Sequence, residues 1–218
     1  AKKINYISYP EMLEMSSLGS KVLQAKAVEY ANNLQVKLYV KSTSKTSTRG
    51  TWVMDEKNIP IKEKRIITGI THDLKQSKIT VSGIEDIPGV ASKIFKPIGS
   101  AGIVVDMIVQ NISTNKKTDL TFTIPKDDLN KTVKILKSNM TKINYKKIIQ
   151  DKNIALISIV GAGMKTHTGI ATRMFDSLSK SKINISMIST SEIKISCVIE
   201  QTKCKKAIQS LHKEFKLG

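Results

Sequence analysis

Cysteine, histidine, aromatic residues and acidic charge are all scarce in this sequence, and each scarcity excludes something. Two cysteines, Cys197 and Cys204, lie seven positions apart and are too few for a disulfide framework. No Cys or His cluster with ligand spacing accompanies them, so no metal site is expected, and both read as buried thiols of a reducing cytosol. The three histidines, His72, His167 and His212, are scattered, and no Ser–His–acid arrangement can be assembled around them. They read as surface or loop residues, His167 being the most interesting for its place in a loop described below. No stretch of eighteen apolar residues occurs, so no membrane span is expected, and the start shows no secretory signal pattern. The first residue is Ala1 rather than methionine, which reads as a chain processed or cut from a longer one.

Aspartate and glutamate number 18 against 36 lysines and arginines, a formal net charge of +18. One reading is a nucleic-acid binder, since clustered cations neutralise phosphates. The other is a lysine-rich composition without that role. The lysines are scattered, arginine is the minority cation, and few aromatics stand among them for base stacking. The second reading is preferred, and a basic nucleic-acid-binding module is kept as the alternative. Phosphate-binding motifs are missing too. No GxxxxGK[ST] is present, and Gly161-Ala162-Gly163, the one tight glycine pair, is followed by five residues before Gly169, which breaks the dinucleotide fingerprint.

What is present is an internal repeat. Gly89-Val90-Ala91-Ser92-Lys93-Ile94-Phe95 matches Gly169-Ile170-Ala171-Thr172-Arg173-Met174-Phe175 at an offset of 80, and the match runs without a gap to Ile103–Ile108 against Ile183–Ile188. Each copy predicts a strand (78–83; 155–161), a loop, and a helix opening at Gly89 or Gly169. A second strand (103–109; 183–188), a third (119–124; 193–199) and a closing helix follow. The closing helices carry Leu129, Val133, Leu136 and Met140, and Cys204, Ile208, Leu211 and Phe215, each a stripe at helical spacing. The order β-α-β-β-α begins a ferredoxin-like unit, which needs a fourth strand. The first copy has one at 143–149. The second has only three residues left, whereas 65–71 upstream has strand composition and no partner. That segment is expected to complete the second sheet, which inserts the first copy within the second. Pro97 falls inside a predicted helix, where it removes a hydrogen bond at a cost of about 3 kcal/mol. Either the helix kinks there or its surroundings satisfy the freed carbonyl. Ahead of the repeat, 9–28 reads as one helix with Met12, Met15, Leu18 and Val22 on its apolar face, and 36–40 and 51–54 read as short strands.

The strand–loop–helix junctions are the candidate binding sites. Helix-start amides at Gly89 to Ala91 and Gly169 to Ala171 hold a carboxylate, with about 0.3–1 kcal/mol from the helix dipole alone. Glycine lets a ligand approach the backbone, and Asp106 stands ready for an ammonium group. Two readings remain open: a cradle for a zwitterionic amino acid, or glycines that merely start helices beside a solvated Asp106.

The same residues carry a family resemblance. Thr68-Gly69-Ile70-Thr71-His72-Asp73, Val105-Asp106-Met107-Ile108-Val109-Gln110-Asn111, Asp119-Leu120-Thr121-Phe122-Thr123 and the Pro88-Gly89 junction resemble the first ACT domain of aspartate kinases. Val160-Gly161-Ala162-Gly163-Met164 and the run from Met187 to Ser196 resemble the second, and Glu11 to Leu23 resembles the end of the kinase domain. The resemblance implies an α+β chain of two ferredoxin-like βαββαβ ACT domains packed as a pair and preceded by a short α/β remnant of the kinase domain. Its domains would be 1–60 for the remnant, 74–150 for the first ACT domain, and 62–73 with 151–218 for the second. It implies the regulatory part of a cytoplasmic enzyme that phosphorylates the aspartate β-carboxylate with ATP and Mg2+, inhibited by L-lysine, L-threonine or both at ACT interfaces of a homodimer. By the same resemblance, effector contacts would fall on Asp86, Pro88, Gly89, Val90, Ala91, Asp106, Met107, Gln110 and Asn111. In the second copy they would fall on Met164, Gly169, Ile170, Asn184, Ile185, Ser189 and Thr190. The family's Lys-Phe-Gly-Gly and Gly-Gly-Ser-Asp segments are absent. This stretch is therefore expected to have no catalytic residues or cofactor of its own and no kinase activity by itself, and to work with a kinase domain or catalytic subunit.

Overall fold

The computed structural model describes residues 2–20, 22–44, 47–111, 116–139 and 143–218. Chain contacts divide it into two compact units, Ala1–Asp73 with Leu156–Gly218, and Leu74–Ala155.

The Leu74–Ala155 unit holds the first copy. Its strands are β5 (Gln76–Glu85), β6 (Ile108–Gln110), β7 (Lys117–Pro125) and β8 (Lys147–Asp151), and its helices are α3 (Val90–Ser100) and α4 (Leu129–Ser138). The four strands form an antiparallel sheet in the order β6-β7-β5-β8. β5 alternates buried and half-buried residues, as a sheet with one face covered requires. Ile79, Val81 and Ile84 from β5 and Leu120, Phe122 and Ile124 from β7 meet Val90, Ile94 and Ile98 of α3 and Leu129 and Leu136 of α4 in one core. Phe95 packs edge-on against Phe122 at 5.2 Å between ring centres. Met140, expected on the closing helix, lies outside the described residues.

The register of β5 against β7 shifts between Val81 and Ile84. Asp119 fastens this bulge: its carboxylate accepts from the Ser82 hydroxyl at 2.7 Å and the Gly83 amide at 2.9 Å. Those two bonds, the hydroxyl's first, hold its pKa below the ordinary carboxylate value. The second strand is shorter than 103–109. At its start the Met107 amide donates to the Thr123 hydroxyl at 3.1 Å, where a side chain takes the place of a ladder carbonyl. The fourth strand starts at Lys147 rather than 143, because Ile143 and Tyr145 turn into the core and Asn144 has a left-handed φ of 51°. α3 runs through Pro97. The carbonyl that Pro97 leaves without its helical donor belongs to Lys93, an exposed residue.

The other unit contains the second copy: β9 (Ile154–Val160), α5 (Ile170–Lys180), β10 (Ile185–Thr190), β11 (Lys194–Glu200) and α6 (Cys204–Glu214). Its sheet order is β10-β11-β9-β4, where β4 is Gly69–Asp73 and pairs antiparallel with β9 from Gly69 opposite Val160 to Asp73 opposite Leu156. With β4 in the fourth place, the strand arrangement repeats that of the first copy. The burial pattern along 101–110 recurs residue for residue along 181–190, so the duplication extends to packing. Every residue of β9 is buried. Cys197 and Cys204 are buried free thiols, and burial pushes the Cys197 thiol up to about 12.

The N-terminal segment belongs to the same unit. β1 (Tyr6–Ser8) pairs parallel with β3 (Thr51–Met54), and β2 (Leu38–Val40) pairs antiparallel with β3. The expected single helix over 9–28 is two helices, α1 (Tyr9–Ser17) and α2 (Ala25–Asn33). Gly19, at a φ of 99°, ends the first, and Val22 is exposed rather than part of an apolar face. Ile7, Tyr9, Met12, Val28, Ala31 and Val53 form the small core.

Candidate functional site

Both repeated helices start the same way. Gly89 (φ 88°) and Gly169 (φ 79°) are left-handed N-caps, and neither helix start has a side-chain cap. A Cβ built on either glycine would meet nothing within 4 Å. The backbone conformation is what demands glycine there, and the space beside it is open. One first-turn donor in the first copy is engaged, since the Val90 amide donates to the Ile87 carbonyl at 3.3 Å.

In the second copy this helix start opens onto a cavity of about 490 Å³ lined by Met164, Lys165, His167, Gly169, Ile170, Ala171, Thr190, Ser191, Glu192 and Ile195. Four of the expected contacts, Met164, Gly169, Ile170 and Thr190, therefore line one cavity. Asn184, Ile185 and Ser189 do not line it. Asn184 is exposed and precedes β10, and Ile185 and Ser189 are half-buried on that strand. Among the lining residues not expected as effector contacts are charged and polar ones, His167 having been singled out only for its place in the loop. Lys165 and Glu192 form an ion pair at 3.3 Å, exposed on both sides, and His167 Nδ1 lies 2.8 Å from the Gly163 carbonyl. The cavity thus offers helix-start amides for a carboxylate, and a carboxylate and hydroxyls for an ammonium group.

In the first copy the expected residues fall into two groups. Asp86, Pro88 and Gly89 are exposed at the junction, where Ala91 is half-buried and Val90 buried. Asp106, Gln110 and Asn111 are exposed on or beside β6, and Met107 is buried with 4% of its surface exposed. Asp106 has an interaction of its own in the fold. The two copies differ in charge around the junction: Glu85 and Asp86 precede the first helix start and Lys165 and Thr166 the second, and Asp106 stands where Ser186 stands.

The Gly161-Ala162-Gly163 pair has a packing explanation. A Cβ at Gly161 would lie 2.1 Å from the Ile66 carbonyl oxygen, and one at Gly163 would lie 2.5 Å from Ile66 Cα. These glycines let the turn press against the backbone leading into β4. The turn is also held by Glu11, a residue with 5% exposure. Its Oε1 accepts from the Ala162 amide at 2.9 Å and the Thr68 hydroxyl at 2.5 Å, while its Oε2 accepts from the Ser8 amide and hydroxyl. Ser8-Tyr9-Pro10-Glu11 is a capping-box pattern that marks the start of α1 in the sequence, and it is the local signal that would have drawn attention to Glu11. Among the described residues, no three His, Cys, Asp or Glu side chains gather as a metal site, and no helix is long and apolar enough to cross a membrane.

Comparison with known proteins supports the duplicated fold. The ACT domain family matches residues 79–140 and 157–215. The aspartokinase of Pseudomonas aeruginosa is 45% identical over 217 residues, a match that takes in the whole chain and 52% of that protein. The chain thus spans about half the length of the curated relatives it matches. Among solved structures, the aspartokinase alpha and beta subunits give a TM-score of 0.66 at 41% identity, with 69% of this chain and 99% of that one covered. The ligand-free regulatory subunit of aspartate kinase from Thermus thermophilus gives 0.66 at 32% identity, with 69% and 99% covered. Matched in both copies by the ACT domain, and over nearly the full length of solved aspartokinase subunits, the chain belongs to the aspartokinase family and carries the ACT domains of its regulatory part.

Proposed function

We propose that this chain binds a free amino acid, L-lysine or L-threonine, and through it sets the activity of an aspartate kinase by feedback. The observation that carries the reading is the cavity at Gly169, where open helix-start amides face Thr190, Ser191 and Glu192. A free amino acid carries a carboxylate for the amides and an ammonium for Glu192. Support also comes from the relatives, one of which is by name a regulatory subunit of aspartate kinase. The acidic residues at the first copy's junction, Glu85 and Asp86, suit the second ammonium of lysine, and the second copy's Lys165 and Thr166 suit threonine. The sixteen positions named from the resemblance are proposed as the effector contacts, supplied across ACT domains of a homodimer.

The domains are proposed as 1–60 for the kinase-domain remnant, 74–150 for the first ACT domain, and 62–73 with 151–218 for the second, a division that the β4–β9 pairing supports. Phosphorylation of aspartate, with ATP and Mg2+, is assigned to a kinase domain or catalytic subunit outside this chain, in the cytoplasm. Effector binding would favour one packing of the paired domains and shift the kinase toward its inactive state. A coupling of about 1–3 kcal/mol suffices for a 5- to 150-fold effect.

Calorimetric titration of the chain with each amino acid tests the reading. Saturable heat is expected with lysine, with threonine or with both. Glu192→Gln should weaken binding at the second copy, and Asp86→Asn should weaken lysine more than threonine. No heat from either amino acid at millimolar concentration would overturn it.

A further inference from the structure

We propose that Glu11 is the positioning residue through which occupancy of the Gly169 cavity reaches helix α1, with the turn Ala162–Lys165 as the part that moves. This inference rests on the reading of that cavity as an amino-acid site.

A capping box asks for only one oxygen of the glutamate, to receive the N-cap amide. Glu11 Oε2 meets that need, accepting from the Ser8 amide at 3.1 Å and the Ser8 hydroxyl at 2.6 Å. The other oxygen leaves the helix altogether. Oε1 takes the Thr68 hydroxyl, 57 positions away, and the Ala162 amide, 151 positions away. All four of these donors are neutral groups, and they hold a buried carboxylate. Such a group is sensitive to where its donors stand, because a largely buried carboxylate is destabilised by each hydrogen bond it loses.

Ala162 opens the turn that carries Met164 and Lys165, both walls of the Gly169 cavity. Ala162, Gly163 and Lys165 of that turn also line a second cavity of about 410 Å³, which Tyr6, Glu11 and Glu63 of the N-terminal segment help to line. Lys165 and His167 line both cavities, so the turn is a partition between them. It cannot yield toward Ile66, where Gly161 and Gly163 already leave no room for a Cβ. The Gly161 amide is tied to the Ile193 carbonyl at 2.9 Å. A ligand that draws Met164 and Lys165 inward therefore displaces the Ala162 amide, and with it the donor on Glu11. Glu14, one helical turn further along α1, meets Lys194 at 2.9 Å, a second attachment between the same helix and the sheet.

Hydrogen exchange followed by mass spectrometry tests this on the chain with saturating lysine or threonine. In the wild type, exchange should slow in 164–171 and change in 9–17 as well. Glu11→Gln, which replaces an accepting oxygen by a donating amide, should keep the change at 164–171 and lose the change at 9–17. Its effector affinity should shift several-fold, by reciprocity of coupling. Ser8→Ala loosens the helix cap but leaves Oε1 and its donors in place, and should retain the response. Thr68→Val, with one Oε1 donor gone, should weaken it, and serves where Glu11→Gln does not fold. A wild-type response confined to 164–171, or a response in 9–17 that survives both Glu11→Gln and Thr68→Val, overturns the role of Glu11. Silence at 164–171 with either amino acid removes the site reading itself, and this inference with it.

Discussion

Glycine does two different things in this chain, and the difference is measurable. Gly169 holds a left-handed φ with empty space around it, so alanine there meets only the conformational penalty, about 1–2 kcal/mol. Gly161 sits at an extended φ of 177° that any residue adopts, but a Cβ would strike the Ile66 carbonyl. Backbone would have to move against backbone. Gly161→Ala is therefore expected to destabilise more than Gly169→Ala in urea unfolding, although only Gly169 has a strained dihedral. The repeat made Gly89 and Gly169 legible, because two glycines in the same frame 80 residues apart demand a shared cause. Gly161 and Glu11 were less legible. Their partners, Ile66 in one case and Thr68 and Ala162 in the other, lie far along the chain, and neither spacing nor periodicity encodes a contact of that kind. Lys165 and Glu192 escaped for another reason: charged residues at a loop and a strand start look like any solvated surface.

The elements follow their periodicities closely wherever a hydrophobic face had to be buried. α3, α5 and α6 begin at the positions the helical stripe marks, and β9 and β11 lie within a residue of their apolar runs. Disagreements cluster where something other than burial decides the boundary. Gly19 splits a continuous apolar pattern into α1 and α2, and the Thr123 hydroxyl takes the Met107 amide at the start of β6. Pro97 is the informative exception. The sequence left a kink and local satisfaction equally open; the helix continues through Pro97, and the carbonyl without its helical donor belongs to an exposed residue. Pro97→Ala is expected to raise the stability of the chain by up to about 3 kcal/mol, read as a higher denaturant midpoint at unchanged slope. A fall in stability would show that the ring's contacts outweigh the missing donor.

At the scale of the whole molecule, the first copy buries its own sheet under its own pair of helices, so that core lies within its unit. The Leu74–Ala155 stretch is expected to fold when expressed alone, with a single cooperative thermal transition and the circular dichroism of an antiparallel sheet with helices. A broad, non-cooperative melt would show that its core is insufficient. The remaining pieces carry a matching expectation. Asp73 and Leu156 stand opposite each other on neighbouring antiparallel strands, with 82 residues between them in the chain (156 − 73 − 1 = 82). Seen from β4 and β9 alone, those residues occupy the tip of a hairpin. An Asn-Gly dipeptide could close the same tip, so the inner lobe is, in effect, an oversized loop. Such a chain could shed it or accept a different one while all five cross-strand pairs from Gly69 to Asp73 keep their places.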